Sequence, residues 1–239
     1  MVDDSLTTRT KALWELLAAA PVTFPPGAGV EVVVSPGSRM CPPGWAGLVV
    51  LGGSAIATVP TEEAVKPVRE ALSRLAPESF TRSEVLREAL PIQAVLGPAT
   101  LAYVSRETFV PRPEAVEQVA PDNPDVRALL EEVGADDADE SGIGKITSAA
   151  FVVRERGRLV AVSGYREWPG ATAHMCILTA KEARGRGLAK RAAAAAVDHA
   201  LAASLLPQWR ARPEASRRVA KALGFRQLGA QLSFHLRPE

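Results

Sequence analysis

The stretch from Ala171 to Ala203 constrains the fold more tightly than any other part of the chain. ATAHMCILTA reads as a strand, KEARGRGLAKR as a turn carrying Gly185 and Gly187, and AAAAAVDHALAA as a long alanine-rich helix. A strand feeding a helix through a glycine turn gathers backbone N–H groups and the positive end of a helix at one point, which suits an anion. Arg184, Arg186, Lys190 and Arg191 add positive charge around the turn, so a phosphate or pyrophosphate is the expected occupant. An ordinary turn with a solvated basic face is the competing reading of the same residues. The G-x-x-x-x-G-K-[ST] loop of nucleoside triphosphatases is absent, and the dinucleotide pattern G-x-G-x-x-G fails because Lys190 stands where its third glycine belongs.

What remains is Arg184-Gly185-Arg186-Gly187-Leu188-Ala189, an R-x-x-G-x-A pattern between a strand and a helix. Downstream come a short apolar strand, LLPQWRA, and a helix from Pro213 to Leu223 closed by Gly224 and Phe225. In this order the chain resembles the GNAT superfamily of N-acetyltransferases, whose coenzyme loop reads Q/R-x-x-G-x-G/A. The family's later N-x-x-[AS]-x-x-[LV]-Y-x-x-L-G-F segment is matched at Ser216, Val219, Leu223, Gly224 and Phe225. It is not matched at Pro213 or at Ala220, where the family often carries a tyrosine acid. The resemblance implies an α/β (α+β) fold with a mixed, mostly antiparallel sheet flanked by helices. It also implies acetyl-CoA as cosubstrate, with no metal. Its coenzyme contacts map onto Ile177, Leu178 and Thr179 on the strand, the loop Arg184, Gly185, Arg186, Gly187, Leu188 and Ala189, and Ser216. An N-terminal α/β half joined to such a domain further resembles the group that includes the zwittermicin A resistance protein.

The chain divides at the Pro-rich segment Val110-Pro111-Arg112-Pro113 into an N-terminal α/β domain, 1–112, and an acetyltransferase-like domain, 113–239. The first has a helix at 9–20, short β-branched runs broken by Pro-Gly and Gly-Gly, helices from Thr61 and over 82–90, and strands at 92–96 and 99–104. A formal net charge of +1 argues against a nucleic-acid binder or membrane-surface protein. No apolar run reaches spanning length and the first residues, MVDDSLTTRT, are not a leader, so a cytoplasmic protein is expected. Cys41 and Cys176, the two cysteines, form no framework. A homodimer is compatible with the sequence, which does not fix the oligomeric state.

Acyl transfer to an amine needs a base or a route for the amine's proton. The candidates are Glu167 at a strand end, Glu140 and its neighbour Asp139 in the acidic run 136–140, and His174. Charge runs are usually solvated surface, which weighs against Glu140. His174 and Cys176 are two apart on a strand and share a face, where a thiol–imidazole pair, half a metal site or plain packing all remain open. The expected activity is acetyl transfer from acetyl-CoA to the amine of a small molecule, with a carboxylate, histidine or water as base. The alternative is a coenzyme-binding module without turnover, a sensor or interaction domain, which Pro213 and Ala220 favour.

Overall fold

The computed structural model describes residues 2–112 and 114–237; Pro113, on which the expected second domain begins, lies outside the described residues. The chain forms two compact units, 1–101 with 227–239, and 102–226. Among the described residues there are seven α-helices and ten strands, most strand pairs antiparallel, so the mixed α/β class expected from the sequence holds.

The first unit begins with helix α1 (Val2–Ala18), which packs Leu13, Trp14 and Leu17 inward. Strands β1 (Gly29–Val34), β2 (Ala46–Leu51), β3 (Ser54–Val59) and β4 (Ile92–Tyr103) follow, with helices α2 (Val65–Ser73) and α3 (Ser83–Ala89) between the last two. The Gly52-Gly53 pair turns β2 back along β3 with both residues at positive φ, as the glycine signal predicts. Gly97-Pro98 does not split the segment before Tyr103 into two strands; β4 runs through it as one. The final strand β10 (Arg226–Leu236), which the sequence reading places at the end of the second domain, pairs antiparallel with β2 in the first unit. Alternation shows that a segment is a strand but not which neighbour it will find.

The second unit carries strands β5 (Glu117–Val119), β6 (Ala150–Glu155), β7 (Arg158–Trp168), β8 (Thr172–Thr179) and β9 (Leu206–Ala211), in the spatial order β9-β8-β7-β6-β5. All neighbours are antiparallel except β8 and β9. A parallel pair needs a crossover, and the alanine-rich helix α6 (Leu188–Ala202) supplies it. Its Ala193, Ala196, Val197 and Ala200 pack on the sheet face of Phe151, Tyr165, Ala173, Met175 and Trp209. Small side chains let helix and sheet approach closely here. The opposite face buries Val152, Val160, Val162 and Leu178 against Val126, Leu129 and Val133 of helix α4 (Pro124–Val133). Asn123 caps α4 by accepting the Asp125 N–H at 2.9 Å. The acidic run is not a loop: it forms helix α5 (Ala135–Ser141).

Helix α7 (Glu214–Ala222) ends in a Schellman turn. The Phe225 N–H donates to Ala220 O and the Gly224 N–H to Lys221 O, both at 3.1 Å. Gly224 sits at φ +86°, and a Cβ there would stand 1.9 Å from the Thr108 carbonyl oxygen. Two independent demands, a left-handed backbone and close backbone approach, therefore explain the glycine of the Leu-Gly-Phe motif. Gly224→Ala is expected to cost roughly 3 kcal/mol or more of folding stability, read as a lowered urea midpoint with an unchanged slope.

Candidate functional site

The β8–β9 ladder has three rungs, Thr172 with Leu206, Ala173 with Pro207, and His174 with Gln208. Both strands continue beyond the last rung, β8 to Thr179 and β9 to Ala211. The β9-facing edge thus carries the backbone groups of Ile177 and the Thr179 N–H with no rung to satisfy them, while the Thr179 carbonyl accepts from Arg184 Nε at 3.3 Å; this edge lies beside the carboxyl ends of two parallel strands. Crevices of this kind are where α/β sheets take ligands. Leu178 is not on that edge: its side chain is buried in the core, and the Ala180 N–H to Val160 O bond sets the alternation that turns the Leu178 backbone to β7.

Directly after β8, Arg184 to Gly187 lead into α6. Gly185 and Gly187 have φ of +78° and +82°, and the space where a Cβ would lie is empty at Gly185 and open to 3.6 Å at Gly187. Helical hydrogen bonding starts with the Lys190 and Arg191 N–H groups donating to Gly187 O, at 3.0 and 3.4 Å. The amides before them stand at the positive end of a 15-residue helix. This cradle fits a pyrophosphate, with Ala189 inside its first turn and Leu188 offering only its amide, its side chain being core. The flanking guanidiniums are engaged elsewhere. Arg186 makes a bidentate pair with Glu155 at 2.6 and 2.8 Å, and Arg184 pairs with Asp137 at 2.8 Å. That bond holds the Asp137 carboxyl below the usual carboxylate range. The backbone is accordingly the part of the loop free to meet an anion. Ser216 is set apart: its hydroxyl accepts the indole N–H of Trp209 at 2.9 Å.

The three base candidates do not lie together. β7 and β8 pair in unbroken register from Ala161–Thr179 to Trp168–Thr172, so alternation sends Arg166 and Trp168 to the face that carries His174 and Cys176. Glu167 points the other way, is exposed, and sits on the face of Tyr165, whose hydroxyl lies 3.0 Å from His199 Nδ1. The cap of α5, Gly142, comes down on the His174 face; a Cβ there would stand 2.8 Å from Cys176 Sγ. Glu140 of α5 forms a salt bridge with Arg212, and these two line a cavity of about 510 Å³ with Asp136, Asp137 and Asp139. The acidic run is therefore one wall of a cavity. Its charge is offset by Arg212, by Arg184 on Asp137 and by Lys145, 4.0 Å from Asp139.

His174 is the most constrained of the three. Its ring stacks on Trp168, centroids 4.1 Å apart and planes within 12°, and its Nδ1 lies 2.5 Å from Gln208 Oε1. Burial, then the charge of Arg210, push the imidazole down to about 3, with the Gln208 bond opposing and Arg166 adding to the fall. Burial pushes the Cys176 thiol up to about 12, which removes it as a thiolate at neutral pH. The sequence reading missed Gln208, Trp168 and Arg210. One signal was present: a glutamine between Pro207 and Trp209, in a strand whose only other polar side chain is Arg210. Among the described residues no group of three or more His, Cys, Asp or Glu is placed to hold a metal ion, and no helix is long and apolar enough to cross a membrane.

A histidine neutral when folded and titrating near its ordinary value when unfolded makes the unfolded chain the stronger proton binder between about pH 6.5 and 3. Stability is then present above that window and is lost as pH falls through it. His174→Gln should reduce the acid-side slope of stability by up to about 1.4 kcal/mol per pH unit, measured by urea unfolding from pH 7 to 4.

Residues 142–230 match the family described as GNAT acetyltransferase. Among solved structures, the chain is similar to a GCN5-related N-acetyltransferase from Kribbella flavida, at 16% identity over 78% of this chain and 82% of that one, TM-score 0.52. It is also similar to a GCN5-related N-acetyltransferase-like protein from Streptococcus suis 89/1591, at 15% identity over 98% and 99% of the two chains, TM-score 0.48. A GNAT-family acetyltransferase from Colwellia psychrerythraea shows 13% identity over 65% of this chain, TM-score 0.48, and the chain spans 61% of that protein's length, less than two thirds. No curated protein matches the chain.

Proposed function

We propose, from the match of residues 142–230 to the GNAT acetyltransferase family, that the protein transfers an acetyl group from acetyl-CoA to the amine of a small molecule. The observation that carries the proposal is the open edge of β8 running into the Gly185–Gly187 cradle at the start of α6. In this reading residues 184–189 hold the pyrophosphate through backbone amides, and Ile177 and Thr179 hold the pantetheine arm along the unpaired edge. Acetyl-CoA supplies an activated acyl thioester; the chain supplies orientation and a route for a proton.

His174 is the group assigned to the amine. It lies at the last rung of the ladder, where the open edge begins, and remains neutral at physiological pH, so its free ring nitrogen accepts an N–H of the attacking amine. A weakly basic imidazole holds the amine by hydrogen bond and passes its proton onward to solvent. Glu140 is engaged by Arg212, and Glu167 is on the opposite face. Ala220, buried in the core, offers no hydroxyl for the departing sulfur, which leaves as a thiolate, a good leaving group without an acid. The same absence favours the second reading, a coenzyme-binding module without turnover.

Calorimetric titration with acetyl-CoA, set against coenzyme lacking the 3′-phosphate and against ATP, tests binding. Thiol release with spermidine, L-lysine and kanamycin as acceptors tests turnover. Gly187→Glu is expected to abolish acetyl-CoA binding, since it strains φ +82° and sets a carboxylate against the phosphates; unchanged affinity would remove the cradle. His174→Gln should lower kcat by about 10²-fold with little change in acetyl-CoA affinity, and Glu167→Gln should cost far less. The reverse order would return the role to Glu167.

A further inference from the structure

Gln208 is fully buried in β9, and its amide meets one polar partner, His174 Nδ1. The other half of the amide, Nε2, is a buried atom without a hydrogen-bond partner. Turning the amide over would only exchange the orphan, leaving Oε1 unpaired instead. Buried polar groups are nearly always satisfied, and an apolar residue of the same shape would remove the Nε2 orphan only by leaving His174 Nδ1 without its partner. As a stability element, then, Gln208 gains little: it satisfies one buried group and leaves another unpaired, between Pro207 and Trp209. Its one satisfied bond is the one that sets the state of His174.

That bond has a chemical consequence. With Oε1 toward the ring, Nδ1 carries the hydrogen and donates, so the lone pair is on Nε2. The flat stack on Trp168 fixes the plane of the ring, and the bond to Gln208 fixes its rotation within that plane. Free histidine in water prefers the opposite tautomer, with its hydrogen on Nε2. We propose that Gln208 is a positioning residue for acyl transfer, holding His174 as the Nδ1–H tautomer with its Nε2 lone pair directed at the acceptor amine. This role rests on the acetyl-transfer reading above, but the tautomer itself does not.

Two measurements separate these layers. Nitrogen-15 NMR of the histidine rings in the wild-type protein should show His174 with a protonated Nδ1 and an unprotonated Nε2, and Gln208→Met should move it toward the Nε2–H form. The methionine variant exchanges one buried orphan, Gln208 Nε2, for another, His174 Nδ1, so it should unfold within a few degrees of wild type, and it should bind acetyl-CoA within twofold of wild type. Its kcat/KM over the panel of spermidine, L-lysine and kanamycin should fall at least about tenfold, as expected when a tautomer is lost. Gln208→Glu, which can accept the same Nδ1–H, should restore that tautomer and most of the activity. Its charge should raise the ring's titration against the opposing Arg166 and Arg210, with Cys176 protonated and Glu140 paired to Arg212.

An Nε2–H tautomer in the wild type would overturn the proposal outright. So would a methionine variant that changes tautomer yet keeps wild-type kcat/KM, in which case acetyl transfer would stand without Gln208. Failure of the wild type to bind acetyl-CoA is a different result: it would defeat the acetyl-transfer reading, and the catalytic role of Gln208 with it, whatever tautomer the spectra show.

Discussion

The parallel pairing of β8 with β9 is the constraint on which the second unit turns. Parallel neighbours cannot be joined by a hairpin, so the chain must leave the sheet after Thr179, cross it as α6 and return as β9. The crossover puts a helix N-terminus beside the carboxyl end of β8, and the glycine turn is the short link that makes the step possible. Because pairing stops at His174 and Gln208, the same connection leaves an edge open where the helix begins. An anion cradle and an unpaired strand edge are thus two results of one topological requirement, and the alanine run is the packing condition that lets the helix lie close enough to produce both.

The polar residues around the split follow from the same alternation. One face of β7, β8 and β9 goes to the α6 core and takes Tyr165, Ala173, Met175 and Trp209. The other must accept whatever the sequence places at the intervening positions, here Arg166, Trp168, His174, Cys176, Gln208 and Arg210. These include two arginines and a histidine beneath the end of α5, and the imidazole, desolvated by burial and then opposed by Arg210 and Arg166, gives up its proton. Its neutrality is a property of the face as a whole, set by burial and by both arginines.

Local features of the site could be read from residues alone. Gly185 and Gly187 were legible because a left-handed backbone before a helix leaves few alternatives, and the Leu-Gly-Phe ending of α7 because its glycine answers two steric demands at once. The extent of the elements was less so: the acidic run is solvated as its charge suggests, with Asp136, Asp139 and Glu140 exposed, but its helix α5 and its ion pairs with Arg184 and Arg212, 47 and 72 residues away, are not visible in the run itself. Glu167 and His174 looked equivalent for a related reason. Period-two alternation fixes relative faces within a strand, but which face meets α5 is decided by tertiary packing. The partner of β10 was hidden for the same cause.

Gln208 shows where the two kinds of information meet. In sequence it is, with Arg210, one of two polar residues in a short strand, and nothing local states its purpose. In the fold it occupies the last rung opposite His174, and the register of a three-residue ladder brings its amide to the ring. A shift of that register by one residue would turn Gln208 to the α6 face and bring Trp209 opposite His174. The core contacts of Trp209 with Phe225 and its indole bond to Ser216 hold the register on the far face of the sheet. Ser216, matched to a coenzyme motif in the sequence, therefore bears on the candidate site through the strand register as well: by anchoring Trp209 it keeps the neighbouring amide where the imidazole needs it.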